Sequence, residues 1–209
     1  MSKPREKQAS VELIQNQMIL MLLMIGVISL VMLLYGIFND GEAVSPYVET
    51  TLRITAVFAL IFGILLPNKL GSIKRLYQLG LMRLDIFKTY VYVALLFALN
   101  TVTLILFIGV FINVLPVLNV LNSALTMETL ITILAGILYI FGLYVAGVLL
   151  TITIKTNVLY LVLTLIVIVL TLQPLISLST NILVLIAPII LIVVTLGLLY
   201  ISLRSYIIK

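Results

Sequence analysis

The sequence predicts an all-α polytopic membrane protein with six transmembrane helices and both termini on the cytoplasmic side. The class follows from composition: 64% of the 209 residues are hydrophobic and only 9% are charged, whereas soluble domains carry about 25% charged residues. The number and orientation of the spans follow from the cations. In a six-span layout, eleven of the twelve Lys and Arg residues fall on the side of the termini, and only Arg53 falls opposite. Since cations concentrate on the cytoplasmic side, both termini are placed there.

Six apolar stretches approach the length of about 20 residues that a helix needs to cross the hydrocarbon core. They cover residues 18–38, 52–66, 89–114, 130–153, 158–172 and 181–203. A basic N-terminal tail precedes the first stretch, and no small-residue cleavage site follows it, so we expect a retained helix and not a signal peptide. Pro67 is expected to end the second helix. Residues 1–209 are therefore predicted to form a single transmembrane domain.

The stretch between the fifth and sixth spans allows two interpretations. Residues 173–188 contain two helix breakers, Pro174 and Pro188, with polar residues between them, yet they are too apolar for a solvated loop. The stretch is either a loop that leads into a last span kinked at Pro188, or a re-entrant segment. A re-entrant backbone is tolerated only where protein or water satisfies its amide groups.

Missing residue types exclude several functions. The chain has no Cys and no His, which removes thiol chemistry and the commonest general base and metal ligand. The span centres hold no ionisable residue, so neither an intramembrane aspartyl dyad nor an obvious proton carrier is expected. The nearest match to a phosphate-binding loop has Glu42 where a Lys is required. We therefore predict no catalytic residue, no metal site and no cofactor in this chain.

Between the predicted spans, charge is densest in residues 68–88, which we call the basic segment. One face of a helix here would carry the apolar residues Ile73, Leu76 and Tyr77. The other face would largely carry Lys74, Arg75 and Gln78. Gly80 is expected to end this short helix, since glycine is common just past a helix C-terminus. A second helical piece should then lead into the third span. The segment is either an interfacial helix that anchors topology among lipid headgroups or a docking surface for a soluble partner.

The sequence "IKRLYQLGLMRLDIFKTYVYVALL" resembles the cytoplasmic segment between the second and third spans of ABC-2 type exporter permeases. The residues that carry this resemblance are Leu79, Gly80, Leu81, Arg83 and Ile86. The six-span layout resembles the family as well. One departure is Met82, which stands where the family usually has Ser or Thr, so the N-cap of the following helix is expected to be lost.

The resemblance implies that the basic segment couples the membrane domain to an ATP-binding subunit. The implied coupling residues are Lys74, Arg75, Tyr77, Gln78, Gly80, Arg83 and Asp85. ATP and Mg²⁺ would then be held by that separate cytoplasmic chain. A second permease copy or a related permease would complete the conduit, in a multi-pass assembly of the cell membrane.

A few polar residues lie within the predicted spans. Gly142 and Ala146 form a small-x-x-x-small pair that allows close helix packing. Four further residues either make packing and hydrogen-bond contacts between helices or line a substrate path: Asn100, Thr103, Tyr139 and Tyr144. A largely apolar path would suit an amphipathic or peptide-like cargo.

Three functions are compatible with these features. The first is the permease subunit of an ATP-driven exporter, with antimicrobial or toxic peptides as an expected type of cargo. The second is a non-transport membrane protein, such as an immunity or scaffold protein. The third is an ion-coupled carrier, for which sodium coordinated by backbone carbonyls is the open route.

Overall fold

A computed structural model of the chain describes residues 47–70, 73–78, 80–113, 127–177 and 183–205, together with eight helical residues between positions 19 and 31. From residue 47 onward, the α-helices are α1 (Tyr47–Leu65), α2 (Ile73–Gln78), α3 (Arg83–Asn113), α4 (Met127–Thr156), α5 (Val158–Ser177) and α6 (Leu183–Ser205). No strand occurs in the described ranges, and the predicted all-α class is confirmed.

Among the described residues, four helical stretches are long and apolar enough to cross a membrane, so the protein is membrane-embedded. They are Thr50–Asn68, Arg83–Phe107, Leu130–Ile154 and Leu185–Ser205, and a shorter apolar helix spans Val158–Leu172. The predicted span at 18–38 lies largely outside the described residues. Those of its residues that are described are helical, and Ile25 among them is fully buried. The count of six spans and the side of the termini stay predictions.

The second predicted span differs from the structure at both ends. Helix α1 begins at Tyr47, five residues before the predicted start of the span at residue 52. At the other end, Pro67 does not stop the helix: the chain continues as a wider π-helical turn, Leu66–Leu70. At this irregular point, the Ile64 carbonyl accepts the Asn68 Nδ2 amide at 3.2 Å and the Thr151 hydroxyl at 3.1 Å. Side-chain donors of this kind allow a proline in a membrane helix without exposing backbone groups to hydrocarbon.

The stretch 173–188 is mostly divided between two helices. Residues 173–177 complete α5 and include Pro174, while residues 183–188 begin α6 and include Pro188. This arrangement matches the first interpretation in placing Pro188 within the last helix. The connection at 178–182 lies outside the described residues, so its course is not described.

Helix α4 is the centre of the bundle. In an 18-residue window of Leu130–Ile154, 72% of the residues are buried, compared with 28% in the corresponding window of Leu185–Ser205 in α6. Helix α4 packs against α1, α3, α5 and α6, and its residues 139–153 are all buried. The other helices therefore form a layer around α4 and turn leucine, isoleucine and valine side chains outward.

Helices α1 and α4 cross closely at two glycines. A Cβ atom on Gly63 would lie 2.1 Å from the Tyr144 carbonyl oxygen, and one on Gly147 would lie 2.2 Å from the Leu60 carbonyl oxygen. Gly142, predicted as a packing residue, faces α6: a Cβ there would lie 2.9 Å from Leu191 Cδ2. Gly142 thus lies at a helix contact as expected, whereas the backbone-to-backbone approach occurs at Gly63 and Gly147.

Candidate functional site

The basic segment is built from the π-helical turn, α2, a tight turn at Gly80 and the first turn of α3. Helix α2 buries Ile73 and Leu76 and keeps Tyr77 half-buried. On the other side, Lys74, Arg75 and Gln78 are exposed. The predicted amphipathic helix is therefore confirmed, and its polar face is directed away from the bundle.

Helix α2 ends in a Schellman motif, in which two backbone bonds close the last turn around a left-handed residue. Gly80 has φ +80°. Its N–H donates to the Tyr77 carbonyl at 2.8 Å, and the Leu81 N–H donates to the Leu76 carbonyl at 3.2 Å. Leu76 and Leu81 are each 2% exposed, which supplies the apolar contact that accompanies this motif. The predicted helix break at Gly80 is confirmed.

Helix α3 is capped at its start, although not by the residue that the family pattern uses. The Met82 carbonyl accepts the Ile86 N–H at 2.9 Å, which places Met82 at the N-cap. Asp85, three residues on, accepts the Met82 backbone N–H on Oδ2 at 3.1 Å. This bond is one half of a capping box, and it also sets a carboxylate at the positive end of the helix. The expected loss of the cap is thus wrong in part: the Met82 side chain cannot cap, but Asp85 satisfies the backbone N–H of Met82.

Arg83 links the basic segment to the end of the last helix. Its Nε–H donates to the Tyr77 hydroxyl at 3.1 Å, and its Nη1 donates to the Arg204 carbonyl in the last turn of α6. A guanidinium at a helix C-terminus is favourable because carbonyl groups there lack helical partners. One turn further along α3, Phe87 meets Tyr200 of α6 edge-on, with ring centroids 5.7 Å apart. These contacts hold α2, α3 and α6 together at one end of the bundle.

The seven implied coupling residues thus fall into two structural groups. Lys74, Arg75 and Gln78 present an exposed polar surface on α2. The others fix the shape of the segment by the bonds described above: Tyr77, Gly80, Arg83 and Asp85. The link to α6 was missed from the sequence, because its acceptor is the backbone carbonyl of Arg204 and a backbone acceptor leaves no signal in the residue types.

The four residues proposed for a substrate path lie in two different environments. Tyr139 and Tyr144 of α4 are fully buried. The Tyr144 ring lies 4.9 Å from Phe97, which in turn lies 5.3 Å from Phe62, so these rings connect α4, α3 and α1. Asn100 is half-buried and Thr103 is exposed, both on α3. Within the described residues, the two tyrosines therefore belong to the core, whereas Asn100 and Thr103 have access to the outside.

The two threonines of α5 bond within their own helix. Thr164 donates to the Tyr160 carbonyl at 2.6 Å, and Thr171 donates to the Val167 carbonyl at 2.8 Å. Thr151 differs, because its hydroxyl reaches across to α1 as described above.

In the part of the chain that the structure describes, no three side chains of His, Cys, Asp or Glu come together as metal ligands. Comparisons with known proteins add no relative: no protein-family model, curated protein or solved structure matches the chain.

Proposed function

We propose that the chain is the permease subunit of an ATP-driven exporter of the ABC-2 type. In this proposal it has six spans with cytoplasmic termini and lies in the cell membrane. A separate ATPase subunit holds ATP and Mg²⁺, and a second permease copy or a related permease completes the conduit. The cargo is amphipathic or peptide-like, for which an antimicrobial peptide is one example.

The observation that carries the proposal is the exposed polar face of α2, together with the hydrogen-bonded turn that joins α2 to α3. Lys74, Arg75 and Gln78 point away from the bundle, while the Schellman turn and the Asp85 cap fix the angle between α2 and α3. A soluble partner that moves α2 would therefore also move α1 through the π-helical turn, α3 through the capped turn and α6 through Arg83. An element that only anchors the chain among headgroups has no need of such stiff connections.

The experiment is a capture of soluble partners from detergent extracts with two double variants of equal charge change. Lys74→Glu with Arg75→Glu reverses the exposed cations of α2. Lys88→Glu with Arg204→Glu reverses two exposed cations at the same end of the bundle but off α2. Arg83 is left intact because it bonds within the chain. The readout is recovery of a nucleotide-binding subunit and ATP hydrolysis by the purified complex.

We expect the wild type and the Lys88/Arg204 variant to recover the ATPase, and the Lys74/Arg75 variant to recover at least about tenfold less. Like-charge pairs across an interface cost several kcal/mol, and 1.4 kcal/mol already corresponds to about tenfold in affinity. Equal recovery with both variants would mean that α2 is not the contact surface. Recovery of no ATPase with any form would refute the exporter proposal and favour the binding-protein or carrier alternatives.

A further inference from the structure

The outward face of α3 carries polar side chains near the middle of the membrane. Asn100 follows the exposed Lys88 by 12 residues, which is about 18 Å of helix. Lys88 must remain near the polar interface, and the hydrocarbon core is about 30 Å thick. Asn100 is therefore placed close to the midplane, and Thr103 one turn further along the same helix.

These two residues differ from the buried threonines whose hydroxyl groups bond within their own helix. The threonines Thr55, Thr101 and Thr195 are fully buried, and each donates to the carbonyl four residues earlier in its own helix, at 2.7 Å. Asn100 and Thr103 make no side-chain hydrogen bond to any described residue, although both remain accessible. An amide has two N–H donors and an acceptor oxygen, and leaving them unsatisfied in hydrocarbon is costly.

The face around them is otherwise apolar. Leu95 and Leu99 are each 43% exposed, and Phe107 is 68% exposed. Helix α5 offers a useful contrast, because every exposed side chain that the structure describes on it is aliphatic, with Val169 66% exposed and Leu170 67% exposed. Lipid alone can cover such an aliphatic surface, because it has no hydrogen-bonding groups. The α3 face requires a neighbour that can hydrogen-bond to Asn100.

We infer that this face of α3 packs against α3 of a second copy of the chain, with the two Asn100 amides hydrogen-bonded across the symmetry axis. Two copies inserted in the same orientation bring residue 100 to the same depth, so the amides meet without any vertical offset. An amide is self-complementary, because each can donate to the oxygen of the other, as an isologous twofold contact requires. The inference rests on the proposed second permease copy and gives that copy a contact surface.

The test uses the absence of Cys from the native chain. Leu99→Cys places a thiol on the α3 face and keeps Asn100 and Thr103. Val169→Cys is the matched control on α5. Val169 lies 12 residues after Asn157, the same separation as between Lys88 and Asn100, and it is more exposed than Leu99. Both full-length variants are oxidised in native membranes, and the fraction of disulfide-linked dimer is measured. The Leu99→Cys measurement is repeated with Asn100→Leu and with Asn100→Gln.

We expect Leu99→Cys to form the linked dimer and Val169→Cys to form little. Asn100→Leu should weaken self-association by about 3-fold to 30-fold, the range that interhelical hydrogen bonds give in membranes. Asn100→Gln keeps an amide and should retain most of the dimer. Equal linkage at Leu99 and Val169, or no effect of Asn100→Leu in a normally inserted chain, would overturn the inference. Because these membranes need no ATPase, a failure to capture the ATPase would contradict the proposed function and leave this result standing.

Discussion

The crossing of α1 and α4 at Gly63 and Gly147 gives a sharp prediction about stability. In Gly147→Ala, the new Cβ would lie 2.2 Å from the Leu60 carbonyl oxygen and 2.9 Å from the Ile64 backbone nitrogen. Both neighbours are backbone atoms, so neither can rotate away as a side chain would. The helices must separate by about 0.8 Å before the closer contact reaches 3.0 Å, below which real Cβ atoms are essentially never found.

The size of the effect follows from three contributions. Overpacking of this kind costs typically about 1–3 kcal/mol, and rigid backbone on both sides favours the upper end. Separation of the helices also lengthens the bond from Thr151 to the Ile64 carbonyl, now 3.1 Å, and such interhelical bonds contribute about 1 kcal/mol. Replacing a helical glycine by alanine stabilises the helix by about 1 kcal/mol, which offsets part of this loss. The expected net loss is about 3 kcal/mol, and the same holds for Gly63→Ala.

The measurement is the apparent thermal midpoint of the detergent-solubilised chain, from the monodisperse fraction recovered by size-exclusion chromatography after heating. A loss of about 3 kcal/mol corresponds to a decrease of about 6–12 °C for a chain of this size. Gly197→Ala on α6 is the matched control, because a Cβ there meets nothing within 4 Å, and its midpoint should stay the same or rise. Gly142→Ala should fall between them, since its nearest neighbour is the flexible Leu191 side chain. Equal midpoints for Gly147→Ala and Gly197→Ala would refute the close crossing.

Two further predictions concern the turn between α2 and α3. Gly80→Ala should lower the midpoint by about 2–8 °C and increase protease cleavage at the turn, because φ +80° costs an alanine about 1–2 kcal/mol; an unchanged cleavage rate would show that the left-handed turn is not maintained. Met82→Ser should raise the midpoint by about 2–4 °C, because a serine oxygen at the N-cap adds about 1 kcal/mol and the Met82 side chain, 74% exposed, packs little. No rise would indicate that the first N–H groups of α3 are already satisfied.

Most of the local structure of the basic segment could be predicted from the sequence. The spacing of Ile73, Leu76 and Tyr77 fixed the buried side of α2, and Gly80 marked its end, because these signals depend only on helical periodicity and on backbone conformation. The cap of α3 was harder to predict. The family pattern directed attention to the missing hydroxyl at Met82, while the carboxylate of Asp85, three residues later, satisfied the Met82 backbone N–H in the reciprocal half of the capping box.

Helix ends at proline were predicted less well. Pro67 and Pro174 were both expected to mark the end of a span, yet helical structure continues through each of them. Proline removes one N–H donor, and its effect on a helix depends on whether other donors reach the carbonyls nearby. At Pro67 one such donor is Thr151, which lies 87 residues away in sequence from Ile64 and cannot be identified without the packing of α4.

The sequence alone determined the all-α membrane class and the amphipathic helix with its glycine break, because burial in lipid demands long apolar helices and because periodicity is a local property. It also identified the polar residues within the spans. Only the tertiary structure decided which of them face the core, since Tyr144 and Asn100 look equally suited to a substrate path until α4 becomes the central helix and α3 an outer one. The Gly63–Gly147 crossing and the bond from Arg83 to the end of α6 likewise depend on which helices become neighbours, and that choice is made by packing between distant parts of the chain.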